Sequence, residues 1–198
     1  LHSSYVITDT KGEILEATGS MLESKGFTVK VFNLLDMAHS CCYSPFKYVR
    51  DDADILKLIT CLIKNTTPPK SNASDPFWEK AETALLQALC FFIYYKLPEE
   101  EQNFTSVMRL LRLAEVDEED SNHESDLDLL FKKLAQKEPD NIAVVQYDVF
   151  KAAAGKTAKS IIISVGVRLA TFNLAKVANL THKDTLELET LPEGKVAL

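Results

Sequence analysis

Apolar and polar residues alternate at the two ends of the chain and recur at three- and four-residue spacing across its middle. Tyr5, Val6, Ile7 and Thr8 form a short β-rich run that closes on a turn, Asp9, Thr10, Lys11 and Gly12. Ile14, Leu15, Thr18, Met21 and Leu22 then recur at helical spacing, and Lys25-Gly26 ends that helix. Phe27, Val29 and Val31 alternate with Thr28 and Lys30, which predicts a second strand reaching Asn33. A crossover helix places two such strands parallel. Parallel strands are covered on both faces, so this unit needs more sheet than it carries.

From about Tyr48 the period becomes helical. Ile55, Leu58, Ile59, Leu62 and Ile63 form one stripe behind Asp51, Asp52 and Asp54, acids that suit a helix N-terminus. Pro68-Pro69 breaks the chain in a loop over 65–74. Asp75-Pro76 then starts a helix that runs to about Lys96. Its second half is apolar nearly all round, as in the centre of a bundle. Val107, Met108, Leu110, Leu111 and Leu113 mark a short helix over 105–114. Ser125 with Asp128 forms a capping-box pattern ahead of Leu127, Leu130, Phe131 and Leu134, and Pro139 ends that helix. Ile142, Val145 and Val149 begin the next, predicted to pass Gly155 and run through Ile161, Val165 and Phe172 to Asn179. Leu186 and Leu188 against Glu187 and Glu189 predict a strand over 185–191, then a turn and another strand from Val196.

The order is β-α-β, about six helices, then β-turn-β. It predicts a mainly α chain: a helical bundle over 48–183 inserted into part of an α/β domain built from 1–47 and 184–198. Both ends read as cuts in something longer, since Leu1 is not a Met and the strand at Val196 has only begun.

Hydrophobic residues make up 46% of the 198 and charged residues 26%, enough for a real core and too much for disorder. The net charge of -7 excludes a globally basic nucleic-acid coat. No apolar run approaches the ~18–20 residues that span a bilayer. No signal-peptide pattern opens the sequence, which leaves the sequons at Asn65, Asn72, Asn103 and Asn179 without a role. Cys41, Cys42, Cys61 and Cys90 follow no disulfide or zinc spacing, so no metal is expected. His39 beside Cys41-Cys42 lacks a second ligand pair.

Ala154-Gly155-Lys156-Thr157 resembles a phosphate loop only in part. Phe150 stands where the earlier glycine belongs, and no strand precedes it. No nucleophile–base pair is discernible, so no catalytic residue is expected. Asp9, Lys11 and Glu13 sit at the carboxyl end of a strand, where open α/β sheets bind ligands. Ordinary turn chemistry explains the same residues: Asp begins the turn, Gly relieves it and Glu favours a helix start. Eight acids, Glu115, Asp117, Glu118, Glu119, Asp120, Glu124, Asp126 and Asp128, fall in 115–128 without a Lys or Arg. Six basic residues fall in 149–183 without an Asp or Glu, and Lys151, Lys156 and Lys159 share one helical sector. Both blocks are solvated surface or docking elements, the acidic one for a basic protein, the basic one for DNA or an acidic segment.

Val6-Ile7-Thr8-Asp9-Thr10-Lys11-Gly12-Glu13 resembles the strand-turn I-x-D-P-K-G-E of the TraG-type conjugative DNA-transfer ATPases, the coupling proteins of type IV secretion. The resemblance continues through Phe27-Thr28-Val29-Lys30-Val31-Phe32-Asn33-Leu34, Ser44-Pro45-Phe46, Asp75-Pro76-Phe77-Trp78-Glu79-Lys80-Ala81-Glu82 and Gly155-Lys156-Thr157-Ala158-Lys159-Ser160. Thr10 stands where the family has Pro, and Ser44 where it has Asn. The resemblance implies a RecA-like motor carrying an inserted all-α domain, with Walker A before this segment and Walker B after it. It implies ATP and Mg in the full-length protein, none in this chain, and no turnover by this chain alone. Asp9, Lys11 and Glu13 would lie near the nucleotide. The family's motors form hexamers at the inner face of the bacterial membrane. Their all-α domain faces the cytosol and receives relaxase-bound DNA or effector proteins. A receptor for relaxase–DNA comes first, a protein-only effector adaptor second, and a free-standing α/β enzyme using the Asp9 turn third.

Overall fold

In the computed structural model, which describes residues 3–67, 76–114, 124–154 and 157–198, one helix organises the others. The chain runs α1 (Glu13–Ser24), β1 (Thr28–Val29), α2 (Asp52–Thr66), α3 (Pro76–Lys96), α4 (Phe104–Leu111), α5 (Asp126–Lys137), α6 (Ile142–Ala154), α7 (Ala158–Arg168), α8 (Ala175–Thr181) and β2 (Val196–Ala197). It is mainly helical. Leu85, Leu86, Leu89, Phe91 and Ile93 of α3 are almost wholly buried, because α6, α2, α7 and α4 pack around it. All-round apolarity needs such an all-round coat. Ile55, Ile59 and Ile63 of α2 and Tyr147 and Phe150 of α6 complete this core. Among the described residues no helix is long and apolar enough to cross a membrane.

One charge lies inside that core. Glu82 of α3 is 1% exposed, and Arg168 Nε donates to its Oε2 at 2.8 Å. Arg168 Nη1 also donates to the hydroxyls of Thr66 and Thr67 at 3.0 Å each. The last residue of α7 thus fastens α3 to the end of α2.

The sheet is small. β1 and β2 run parallel, with Thr28 opposite Val196 and Val29 opposite Ala197. Tyr5 bridges Ala197 from the other side: its N–H donates to Val196 O at 2.8 Å, and Leu198 N–H donates to Tyr5 O at 2.9 Å. The last strand therefore sits between the first two, and Leu22, Phe27 and Ala197 bury one another beneath it.

Three expectations need correction. The strands expected over 5–8 and 27–33 shrink to a bridge at Tyr5 and to Thr28–Val29. The helix expected over 142–179 is broken into α6, α7 and α8. Thr157 leaves helical geometry and its hydroxyl donates to Ala154 O at 2.6 Å. After Arg168 reaches Glu82, a 3-10 turn over Ala170–Asn173 swings Phe172 in to stack on Phe104 at 4.2 Å. The strand expected over 185–191 is absent. Asp184 Oδ2 accepts from Glu187 N–H at 2.8 Å, and Lys30 Nζ donates to Leu186 O at 2.7 Å. These contacts curl the chain into a turn, with Glu187 at φ 52° and a 3-10 segment at Leu188–Thr190.

Candidate functional site

The parallel strands end at the turn that carries Asp9, Lys11 and Glu13. A cleft of about 540 Å³ opens there, lined by Asp9, Lys11 and Asn33 among mostly apolar side chains such as Ile14, Phe32 and Leu34. Asp9 turns inward on its own helix. Its Oδ1 accepts from Gly12 N–H at 2.9 Å, and its Oδ2 from Ile14 and Leu15 N–H at 2.9 Å each. The N–H of Leu15, then those of Lys11, Gly12 and Ile14, hold its carboxyl below the usual carboxylate range despite some opposing desolvation. Gly12 makes this possible, since its φ of 82° strains a residue that carries a Cβ. Asp9 thus takes up three amides at the start of α1 that an incoming phosphate would otherwise use. Lys11 and Glu13 are exposed beside it. The turn brings the three residues together, with Asp9 as a capping group and Lys11 as one of two cations lining the cleft, the other being Lys30, which pairs with Glu187 at 2.6 Å.

The acidic and basic blocks meet. Asp128 Oδ1 lies 2.8 Å from Lys151 Nζ and accepts from Tyr147 Oη at 2.9 Å. Its Oδ2 accepts from Ser125 Oγ at 2.7 Å and Ser125 N–H at 3.0 Å, completing the capping box of α5. Burial opposes ionisation of Asp128, but Lys151, Ser125 and Tyr147 outweigh it and hold the carboxyl below its ordinary value. Burial and the Asp128 charge raise the Tyr147 hydroxyl well above the ordinary tyrosine value. Glu124 pairs with Lys132 at 2.9 Å, and Asp126 sits in the first turn of α5. Lys159 lies exposed on α7. Glu115, Asp117, Glu118, Glu119, Asp120 and Lys156 lie outside the described residues.

A junction not singled out by sequence joins the two chain crossings between sheet and helices. Asp184 accepts from Tyr48 Oη at 2.8 Å and Ser44 N–H at 3.3 Å, besides Glu187 N–H. Tyr48 Oη in turn accepts from Leu188 N–H at 3.1 Å, and its ring stacks on Tyr43 at 5.6 Å. Desolvation raises the Tyr48 hydroxyl far above its ordinary value. Asp184 sits two residues before the buried Leu186, and only the fold reveals its partners.

Cys90 is buried and its thiol is pushed up to about 12, so it stays protonated and inert. His39 Nδ1 is paired with Asp36 at 2.7 Å. Among the described residues, no group of three His, Cys, Asp or Glu is placed to hold a metal ion.

The family described as type IV secretory system conjugative DNA transfer matches residues 1–198, so this chain belongs to that family. Searches of curated proteins and of solved structures give no significant match.

Proposed function

We propose that, within this family, the chain is the substrate-receiving part of a coupling ATPase: the helices over 48–183 dock the cargo, and the flanking α/β segments join them to a RecA-like motor. The observation that carries this is topological. The chain leaves a parallel sheet after β1, builds α2 to α8, and returns as β2 to the position between β1 and Tyr5. A helical body interposed between neighbouring strands of one sheet is the arrangement expected of an insertion, with both of its ends held at the sheet.

Cargo would be a relaxase, with or without its DNA, or another secreted protein, received at the cytoplasmic face of the bacterial membrane by a hexamer of the full-length protein. ATP and Mg would act in that full-length protein, on parts other than those described here. Lys11 would face the nucleotide-bearing side of the motor across the cleft. An independent α/β enzyme is disfavoured, because Asp9, the carboxylate at the strand end, is committed to capping α1. Exchanging residues 48–183 for the corresponding part of a coupling protein from a different conjugative element tests the assignment in donor cells. Cargo preference should follow the exchanged helices; preference that stays with the remainder of the protein would overturn it.

A further inference from the structure

The sequence pattern over 185–191 and the shape of that segment disagree. Leu186 and Leu188 alternate with Glu187 and Glu189, and Pro192 closes the run, as in a strand. The fold curls these residues instead, and the curl is strained at its centre. Glu187 takes φ 52°, the one positive φ outside glycine among the described residues. That conformation crowds a Cβ against the backbone and persists where the surroundings over-determine it. Here Glu187 N–H donates to Asp184 Oδ2 at 2.8 Å, and Leu188 N–H to Tyr48 Oη at 3.1 Å. Lys30 Nζ donates to Leu186 O at 2.7 Å and to Glu187 Oε2 at 2.6 Å. Arg50 Nη2 pairs with Glu189 at 3.0 Å. These partners come from two sides: Lys30 directly follows β1, whereas Tyr48 and Arg50 lead into α2. The two sides have separate cores, Leu22, Phe27 and Ala197 under the sheet, and a cluster running from Phe46 to Leu169 among the helices. Among the described residues no buried side chain belongs to both. Hydrogen bonds and ion pairs on this segment therefore tie sheet to helices where no common core fixes their orientation.

We propose that residues 185–191 form a two-state clasp between the sheet and the helical body. Curled, the segment is gripped from the sheet by Lys30 and from the helices by Tyr48 and Arg50, and it holds the two in one orientation. Extended, Glu187 leaves the left-handed region, the alternation of Leu186 and Leu188 with Glu187 and Glu189 is realised, and those ties are released together. Backbone strain and sequence pattern favour the extended form, while Asp184, Tyr48, Lys30 and Arg50 favour the curled one. A change on either side of the joint that takes up one of these four partners shifts the balance. The clasp concerns the joint alone and stands whether or not the helices receive cargo.

Glu187→Gly and Glu187→Val separate strain from charge. Both remove the carboxylate that Lys30 holds, but glycine accepts positive φ and a β-branched side chain resists it. In the full chain, NMR-detected protection of the Leu188 amide against hydrogen exchange should be about tenfold lower in the valine variant than in the glycine variant. Carbon chemical shifts over 185–191 should move to strand values in the valine variant and keep the curled pattern in the glycine variant. Lys30→Met, which removes both Nζ bonds, should move them in the same direction as valine. Protection in α3 should be the same in all three variants as in the unaltered chain, since its core is separate from the sheet's. Equal protection of Leu188 in the glycine and valine variants would overturn the proposal, because the strain would then bias nothing. Shifts that reach random-coil rather than strand values would overturn it as well. So would loss of protection in α3 along with the segment, which would make the segment part of one cooperative unit with the helical core.

Discussion

Ser125 and Asp128 cap α5 reciprocally, and Asp128 also receives Tyr147 and Lys151 from α6. The cap was legible because Ser and Asp stand three apart before an apolar run. The pairing with Lys151 was not, because periodicity along one helix says nothing about which neighbour it meets. Ser125→Ala should cost about 1 kcal/mol, measured by urea denaturation. Asp128 ionises more easily folded than unfolded, so its contribution is complete above the unfolded value and lost as pH falls through the lower folded value. The melting temperature of the unaltered chain should therefore drop more steeply on acidification from about pH 4 than that of Asp128→Asn; parallel pH profiles would refute this. Neutralising the whole acidic block would disturb α5 through this residue, so a docking test there should leave Asp128 intact. At the other end of the chain, Asp9→Ala should speed hydrogen exchange at the amides of Gly12, Ile14 and Leu15, which its carboxylate now holds.

At the scale of elements, α3 was readable from composition alone, since a helix apolar on all sides belongs inside. Glu82 within it carried a further signal, because a buried carboxylate needs a partner. That partner, Arg168, could not be named from sequence, as the apolar period of 142–179 continues across the breaks that bring Arg168 to it. Those breaks are tertiary: Arg168 and Phe172 reach into the core at the cost of helical continuity. Arg168→Met should destabilise the chain by about 3–5 kcal/mol, and Arg168→Met/Glu82→Leu should recover most of that loss. Urea midpoints of the two variants that coincide would show that the pair does not hold α7, α3 and the end of α2 together. The curled segment over 184–191 was misread for a related reason. Its alternation suits a strand, but Asp184, Lys30 and Tyr48 take up its polar groups one by one.

For the whole molecule, strand-like material at both ends and helices between were visible in the pattern, and so was the parallel sense of the first two strands, which lie on either side of β2 rather than against each other. The position of β2, between Tyr5 and β1, was not, because strand order depends on partners far apart in sequence. The Asp9 cap occupies the Gly12, Ile14 and Leu15 amides at the start of α1, and Phe150 stands where a phosphate loop needs glycine. The chain alone should release no phosphate from ATP, and turnover abolished by Lys156→Ala would contradict that. The cargo-receptor role is tested most directly by hydrogen exchange of the full chain with and without purified relaxase from the same conjugative element. Protection should rise on binding within 48–183 and stay unchanged across Asp9, α1, β1 and β2. Protection confined to the sheet and its cleft, or none at saturating relaxase, would contradict it.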